Sequence, residues 1–227
     1  MLDVHADADH HRAVFTLAGE AGELHRAVVA GAHPRVGAVD VAPVVHRTDA
    51  ERGAACAEAL LLGHRLAADL GLPVYLYGAL AGGRTRALLR RPGALAGLAP
   101  DYGPRDLHPT GGAVLVAARP PLVAFNVEID APLADAQRIA GRIREGGEEE
   151  LVGVRALGLE LAATGVVQIS TNIEDPGRTT AGAVVAAVAR HARVTGAELV
   201  GLAPAAALDG VEVPLRNRRT LEEVLDS

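Results

Sequence analysis

Six segments between Leu122 and Leu202 switch between the two hydrophobic periods of regular structure, and their order leaves few folds open. The run Leu122 to Ile129 is apolar and β-rich. Asp130 to Arg144 follows with a proline in its first turn and Leu133, Ala136, Ile139, Ala140 and Ile143 at helical spacing. Leu151 to Leu157 and Gly165 to Ile173 read as strands, the second with clean apolar and polar alternation. Thr179 to Val194 carries Ala181, Val184, Val185, Val188 and Ala192 on one helical face, stops at Gly196, and gives way to a strand from Glu198 to Leu202. The order is β-α-β-β-α-β. It predicts a ferredoxin-like unit, two helices covering one face of an antiparallel sheet.

The first half reads as an incomplete copy of that order. It offers a strand at Ala13 to Leu17, a helix at Ala21 to Ala30, a strand at Val39 to Val45, a helix from Asp49 to Leu70 capped by Gly71, and a strand at Pro73 to Tyr77. Only Leu2 to Val4 precedes its hairpin. The expectation is an α+β chain of two ferredoxin-like subdomains, residues 1–120 and 121–227, the first lacking its opening strand and helix. Between them, Arg84 to Gly112 is rich in Gly, Pro and Arg, and its segment Pro100 to Gly112 is too irregular for strand or helix, the mark of a functional loop when apolar strands flank it closely.

Composition narrows the chemistry. The 227 residues carry a net charge of −6, which argues against nucleic acid as the main partner. Apolar runs fall far short of the roughly 20 residues that span a bilayer, and the start Met-Leu-Asp-Val-His lacks the basic and apolar regions of a secretory signal. A cytoplasmic address is expected, without membrane contact. Every basic side chain is Arg, so lysine Schiff-base catalysis and a P-loop are excluded. Aromatics make up 2% of the chain, which leaves backbone and aliphatic walls to grip any flat ligand. The single cysteine, Cys56, sits in a helical apolar pattern and reads as a small core residue.

Four places hold candidate chemistry. His33 precedes Pro34, which biases it toward an extended backbone; an imidazole held there suits proton transfer, while a plain surface histidine has the same signature. Arg35 points to the same side of an extended segment, where it can bind a carboxylate or simply face water. The cluster Asp3, His5, Asp7, Asp9, His10, His11 and Arg12 presents N and O groups that either bind a divalent metal or decorate a polar hairpin tip. The Gly- and Pro-rich stretch 103–112 can press main chain against a planar ligand, and Gln168, Ser170 and Asn172 form a polar stripe on one strand face.

Taken in order, several stretches resemble the formiminotransferase family. They are Leu2-Asp-Val with His11 to Gly19, His33-Pro-Arg-Val-Gly-Ala-Val-Asp-Val-Ala-Pro43, Leu72 to Gly78, Pro100-Asp-Tyr-Gly-Pro104, Gly112 to Asn126, Gln168-Ile-Ser-Thr-Asn172 and Glu198-Leu-Val-Gly-Leu-Ala-Pro204. The resemblance implies a folate-dependent transfer of the formimino group between N-formimino-L-glutamate and N5 of tetrahydrofolate in histidine degradation. It implies His33 as the catalytic histidine, and Gly103, Pro104, Arg105, Asp106, Leu107, His108, Pro109, Thr110, Gly111 and Gly112 as the folate-binding loop. A homodimer is implied as well. Arg35 and Arg119 are candidates to orient substrate carboxylates, and tetrahydrofolate is the co-substrate, with no metal required. The chain departs from the family's pattern in lacking its opening strand and helix, in the shortened approach Val28 to Ala32, and in His11, where the family has Asn. Formyl transfer between glutamate and folate, a non-catalytic folate-binding remnant, and a metal-dependent hydrolase built on His5, Asp7 and Asp9 are the competing readings.

Overall fold

The computed structural model describes residues 1–7, 12–18, 37 and 39–226. The chain divides into two compact units, one of Met1–Thr16 with Pro121–Ser227 and the other of Leu17–Pro120. The hairpin β1 (Asp3–Asp7) and β2 (Arg12–Thr16), which pairs Val4 with Phe15 and His5 with Val14, clusters with the second half. There Arg219 Nη1 donates to Asp3 Oδ1 at 2.7 Å.

The same unit contains the complete β-α-β-β-α-β order. Its central strand β6 (Val123–Asp130) buries Val123, Phe125, Val127 and Ile129 on one face, as the period of two requires. Helix α3 (Leu133–Ile143) lays Ala136, Ile139, Ala140 and Ile143 on that face. Strands β7 (Val154–Glu160) and β8 (Val167–Ile173), helix α4 (Ala181–Ala189) and strand β9 (Arg193–Val200) complete the unit. The two-residue strand β10 (Leu215–Arg216) adds a parallel edge, giving the sheet order β10-β9-β6-β8-β7. Strand β6 runs antiparallel to both β8 and β9. Short helix α5 (Leu221–Leu225) is closed by a capping box between Thr220 and Glu223.

The sequence reading misplaced two boundaries here. Strand β9 begins at Arg193, five residues before the expected Glu198, because Gly196 does not stop the preceding helix. It lies within the strand opposite Glu128, where the register shifts between Glu128 and Ile129, and a glycine suits such an irregularity. Strand β7 starts at Val154 because the amide of Leu151 bonds back to Ile143 and keeps the turn off the helix closed.

In the other unit the described strands β3 (Val41–Val45), β4 (Val74–Leu76) and β5 (Val114–Arg119) are all parallel, in the order β3-β5-β4. The expected helix at 21–30 lies outside the described residues. Helix α1 (Arg52–Leu70) follows a 3-10 turn and ends at Gly71, whose φ of 63° closes the helix in the left-handed region. It buries Ala55, Ala59, Leu62 and Leu66 against one side of the sheet. The excursion from Gly78 to Gly112, which includes the short helix α2 (Arg86–Leu89), covers the other side, where Tyr75, Tyr77, Leu89, Leu115 and Ala117 are buried together. Mixed α and β structure in two subdomains is the expected class. Among the described residues no helix is long and apolar enough to cross a membrane.

Candidate functional site

Strand β4 lies at a sheet edge, and an edge needs partners for its free backbone groups. The segment from Pro100 supplies them. Val74 N donates to Tyr102 O at 2.9 Å and Asp101 N donates to Val74 O at 2.9 Å. One residue pair on, Leu76 N donates to Asp101 Oδ2 at 2.8 Å, Arg84 Nε donates to Leu76 O at 2.9 Å, and Arg84 pairs with the Asp101 carboxylate. The Tyr102 ring meets His64 of α1 edge-on with centroids 6.2 Å apart. Gly103 turns with φ 86°, and a Cβ there would stand 2.5 Å from the Leu72 carbonyl oxygen. The start of the 103–112 stretch is therefore fixed by backbone bonds on one side and helix packing on the other.

The far end is fixed as firmly. His108 and Gly112 exchange backbone bonds of 2.9 and 2.8 Å, and Gly111 N donates to His108 Nδ1 at 2.9 Å. That bond makes Nδ1 an acceptor and puts any ring proton on Nε2. Residues from Gly103 to Leu107, with Pro109 and Thr110, are exposed, and Leu107 keeps 54% of its surface in water. The result is an anchored loop presenting main chain, two prolines and an aliphatic side chain outward, which suits a flat hydrogen-bonding ligand.

Gly37 forms an antiparallel bridge with Gly112. A Cβ on Gly37 would lie 2.1 Å from Gly111 O and 2.2 Å from Ala113 O, so glycine alone permits the approach. Gly37 lies four positions after His33 in the sequence. His33 and Arg35 themselves lie outside the described residues.

Arg119 ends β5 on the same face as Leu115 and Ala117, beside Tyr77 at the end of β4. Its Nη1 donates to Pro120 O at 2.9 Å. The Tyr77 hydroxyl is buried with no hydrogen-bond partner among the described residues, and Arg119 is the leading source of positive charge acting on it. Burial pushes the phenol above its ordinary range, and the neighbouring Arg119, Arg86 and Arg90 oppose that shift. Tyr77 therefore stays a neutral donor near pH 7. Tyr77 follows β4 and Arg119 ends β5, so both stand at the carboxyl ends of parallel strands, the end at which open α/β sheets bind ligands, whereas Gly37 precedes β3 and Gly112 precedes β5 at the opposite end.

In the other unit, the strand stripe Gln168, Ser170 and Asn172 lies on the sheet face away from the helices, and it does not simply face water. Gln168 is fully buried, and Ser170 and Asn172 are half-buried. Asn126 and Glu128 of β6 and Glu198 of β9 share that face: Asn126 stands opposite Ser170 and Glu198, and Glu128 opposite Gln168.

Comparison with known proteins decides the family. Residues 29–119 match the N-terminal subdomain of the formiminotransferase domain and residues 124–216 match the formiminotransferase domain. The chain is 32% identical over 239 residues to the glutamate formimidoyltransferase of Streptococcus pyogenes serotype M1, covering 92% of this chain and 80% of that protein. The chain belongs to the formiminotransferase family. It is also 30% identical to the Thermoplasma acidophilum glutamate formimidoyltransferase, covering 92% of this chain and 79% of that one. With the formimidoyltransferase-cyclodeaminase of Mus musculus it shares 35% identity over 246 residues and spans 45% of that longer protein.

In this chain the histidines and acids of the first hairpin are only partly described. Asp9, His10 and His11 lie outside the described residues, and Asp3 is engaged by Arg219. Among the described residues no group of three or more His, Cys, Asp or Glu is gathered as a metal site requires. Sequence reasoning missed Tyr77, Asn126 and Glu198. Asn126 carried a usable signal, an amide in the middle of the apolar strand Val-Ala-Phe-Asn-Val. Tyr77 did not, because nothing in Val-Tyr-Leu-Tyr separates a core phenol from one beside arginines.

Proposed function

We propose that this chain transfers the formimino group between N-formimino-L-glutamate and N5 of tetrahydrofolate, a step of histidine degradation, with His33 as general acid and base and Gly103 to Gly112 as the folate loop. The observation that supports this most directly is the bridge from Gly37 to Gly112. It ties the His33-Pro-Arg-Val-Gly37 segment by its last residue to the closed end of the loop, and four residues make a short tether. Family membership and the names of the relatives support the reaction.

The chemistry suits these residue types. When N5 attacks the formimino carbon, a tetrahedral carbon bearing several nitrogens forms, and it collapses forward only if the glutamate nitrogen leaves as a neutral amine. An imidazole that takes the proton released by N5 and delivers one to that nitrogen supplies both needs, an effect worth roughly 10²- to 10⁴-fold. Both substrates carry carboxylates. Arg119 beside the Tyr77 donor, and Arg35 two residues after His33, are the side chains we assign to orient them. Exposed backbone, Pro104, Pro109 and Leu107 fit the flat face and edges of a reduced pterin.

The test is direct. Incubated with formiminoglutamate and tetrahydrofolate, the chain is expected to consume the former and release glutamate. Transfer from N-formylglutamate alone would reassign the group transferred. Tight folate binding with no turnover of either donor would identify a binding protein instead.

A further inference from the structure

Three of the stretches that carry the family resemblance meet on the face of the second-half sheet away from the helices: Gly112 to Asn126 ends there, and Gln168 to Asn172 and Glu198 to Pro204 begin there. What they bring together is a set of acceptors. Asn126 is wholly buried (0% exposed), and its Oδ1 has no hydrogen-bond partner. Its Nδ2 reaches Glu198 Oε2 at 3.4 Å, which fixes the amide orientation, because the reverse would set an oxygen against a carboxylate. The side chains of Glu128 and Glu198 retain 14% and 15% of their exposure.

Among the described residues, the charges around Glu128 and Glu198 do not balance. One guanidinium, Arg216, serves both carboxylates, pairing with Glu128 and standing 3.8 Å from Glu198 Oε2. Asn217 Nδ2 adds a neutral bond to Glu198 Oε1 at 3.0 Å. Two largely buried negative charges against one positive charge, next to an unpaired buried carbonyl oxygen, make a surface short of donors. Arg216 shows what fills such a need, since a guanidinium is a planar N–C–N group with parallel N–H bonds. It comes from a two-residue edge strand and is 55% exposed, so it can swing away without disturbing the core.

We propose that Asn126, Glu128 and Glu198 form a binding site for a planar N–C–N donor group of a substrate, which displaces Arg216 from the carboxylates. This inference rests on the transferase reading, under which two sources of that chemistry exist. One is the amidine of the formimino donor. The other is the 2-amino edge of the reduced pterin.

Titration calorimetry of the full chain with tetrahydrofolate and, separately, with N-formimino-L-glutamate distinguishes them. Glu198→Gln keeps the shape and the bond from Asn217 but removes the charge. It is expected to weaken one of the two ligands about tenfold or more, the loss of one charge-assisted bond. The ligand that weakens identifies the source. Arg216→Gln, at an exposed position, should tighten that same ligand by freeing both carboxylates, an effect of opposite sign that misfolding cannot produce. Unchanged affinity for both ligands in Glu198→Gln with wild-type thermal stability overturns the proposal, as does a wild-type chain that binds neither. Turnover of the wild-type chain is measured in parallel. If transfer proceeds while both variants bind as wild type does, this site is wrong and the transferase reading stands. If transfer is absent while the variants shift binding as stated, the reverse holds.

Discussion

Gly37 and Gly112 face each other across an antiparallel bridge so close that no side chain fits on Gly37. Gly37→Ala would set a methyl group about 2.1 Å from one carbonyl oxygen and 2.2 Å from another, both on backbone that cannot rotate away. The expected result is a stability loss of about 1 to 3 kcal/mol in urea unfolding. Because the displaced backbone closes the loop, folate affinity should fall about tenfold in the same variant. Wild-type folate affinity in a folded Gly37→Ala chain would remove this loop from the binding site.

Replacing His33 separates chemistry from binding. His33→Ala is expected to lower kcat by about 10²-fold or more while leaving folate affinity nearly unchanged, since the lost interaction belongs to the transition state. His5→Ala in β1 is the internal control and should retain turnover. Single-turnover kinetics on both variants make the comparison, and activity lost with His5 but kept without His33 would favour the hairpin as the reactive site.

Asp101 completes the edge of β4 by accepting from both Leu76 N and Arg84. Asp101→Ala leaves a strand amide and a guanidinium without their shared acceptor and should cost about 1 to 3 kcal/mol. Asp101→Asn keeps an oxygen for the Leu76 amide and should lose less. Equal losses in chemical denaturation would show that charge, not backbone pairing, is what Asp101 contributes.

Glu149 links the ends of two helices. It accepts from Arg142 Nε at 2.9 Å, Arg190 Nη2 at 2.8 Å and His191 Nε2 at 3.0 Å. Arg190 first, then His191 and Arg142, hold its pKa down from 4.5 to about 2. A carboxylate lowered by folding contributes stability in full above its unfolded pKa and loses it as pH falls through the folded value. Stability should therefore decline between about pH 4.5 and about pH 2. Glu149→Gln should flatten that part of the curve, and salt should shrink the difference because the group is solvent-accessible. Thermal melts across the range at two salt concentrations measure it, and parallel curves for both proteins would refute the assignment.

The resemblance also leads us to expect a two-fold homodimer. Sedimentation equilibrium at micromolar concentration should return the mass of two chains. A single-chain mass would dispose of the dimer without touching the chemistry.

Much of this was legible in the chain itself. Period-two alternation through Val123, Phe125, Val127 and Ile129, and the helical spacing of Ala136, Ile139, Ala140 and Ile143, determined the layers of the second half, because burying those stripes admits one packing. The ordered stretches determined the family. Tertiary structure alone decided what depends on approach between distant backbones and on which charges share a face. Gly196 reads as a helix stop until its strand partner Glu128 is in place. Three parallel strands in the order β3-β5-β4 cannot be inferred from segments whose pairing partners lie far apart along the chain. Asn126 and Glu198 are 72 residues apart, and only the antiparallel register of β6 and β9 makes them neighbours on a face short of donors. A sequence records which side chains repeat at a given period; the electrostatic balance of a surface exists only once strands have paired.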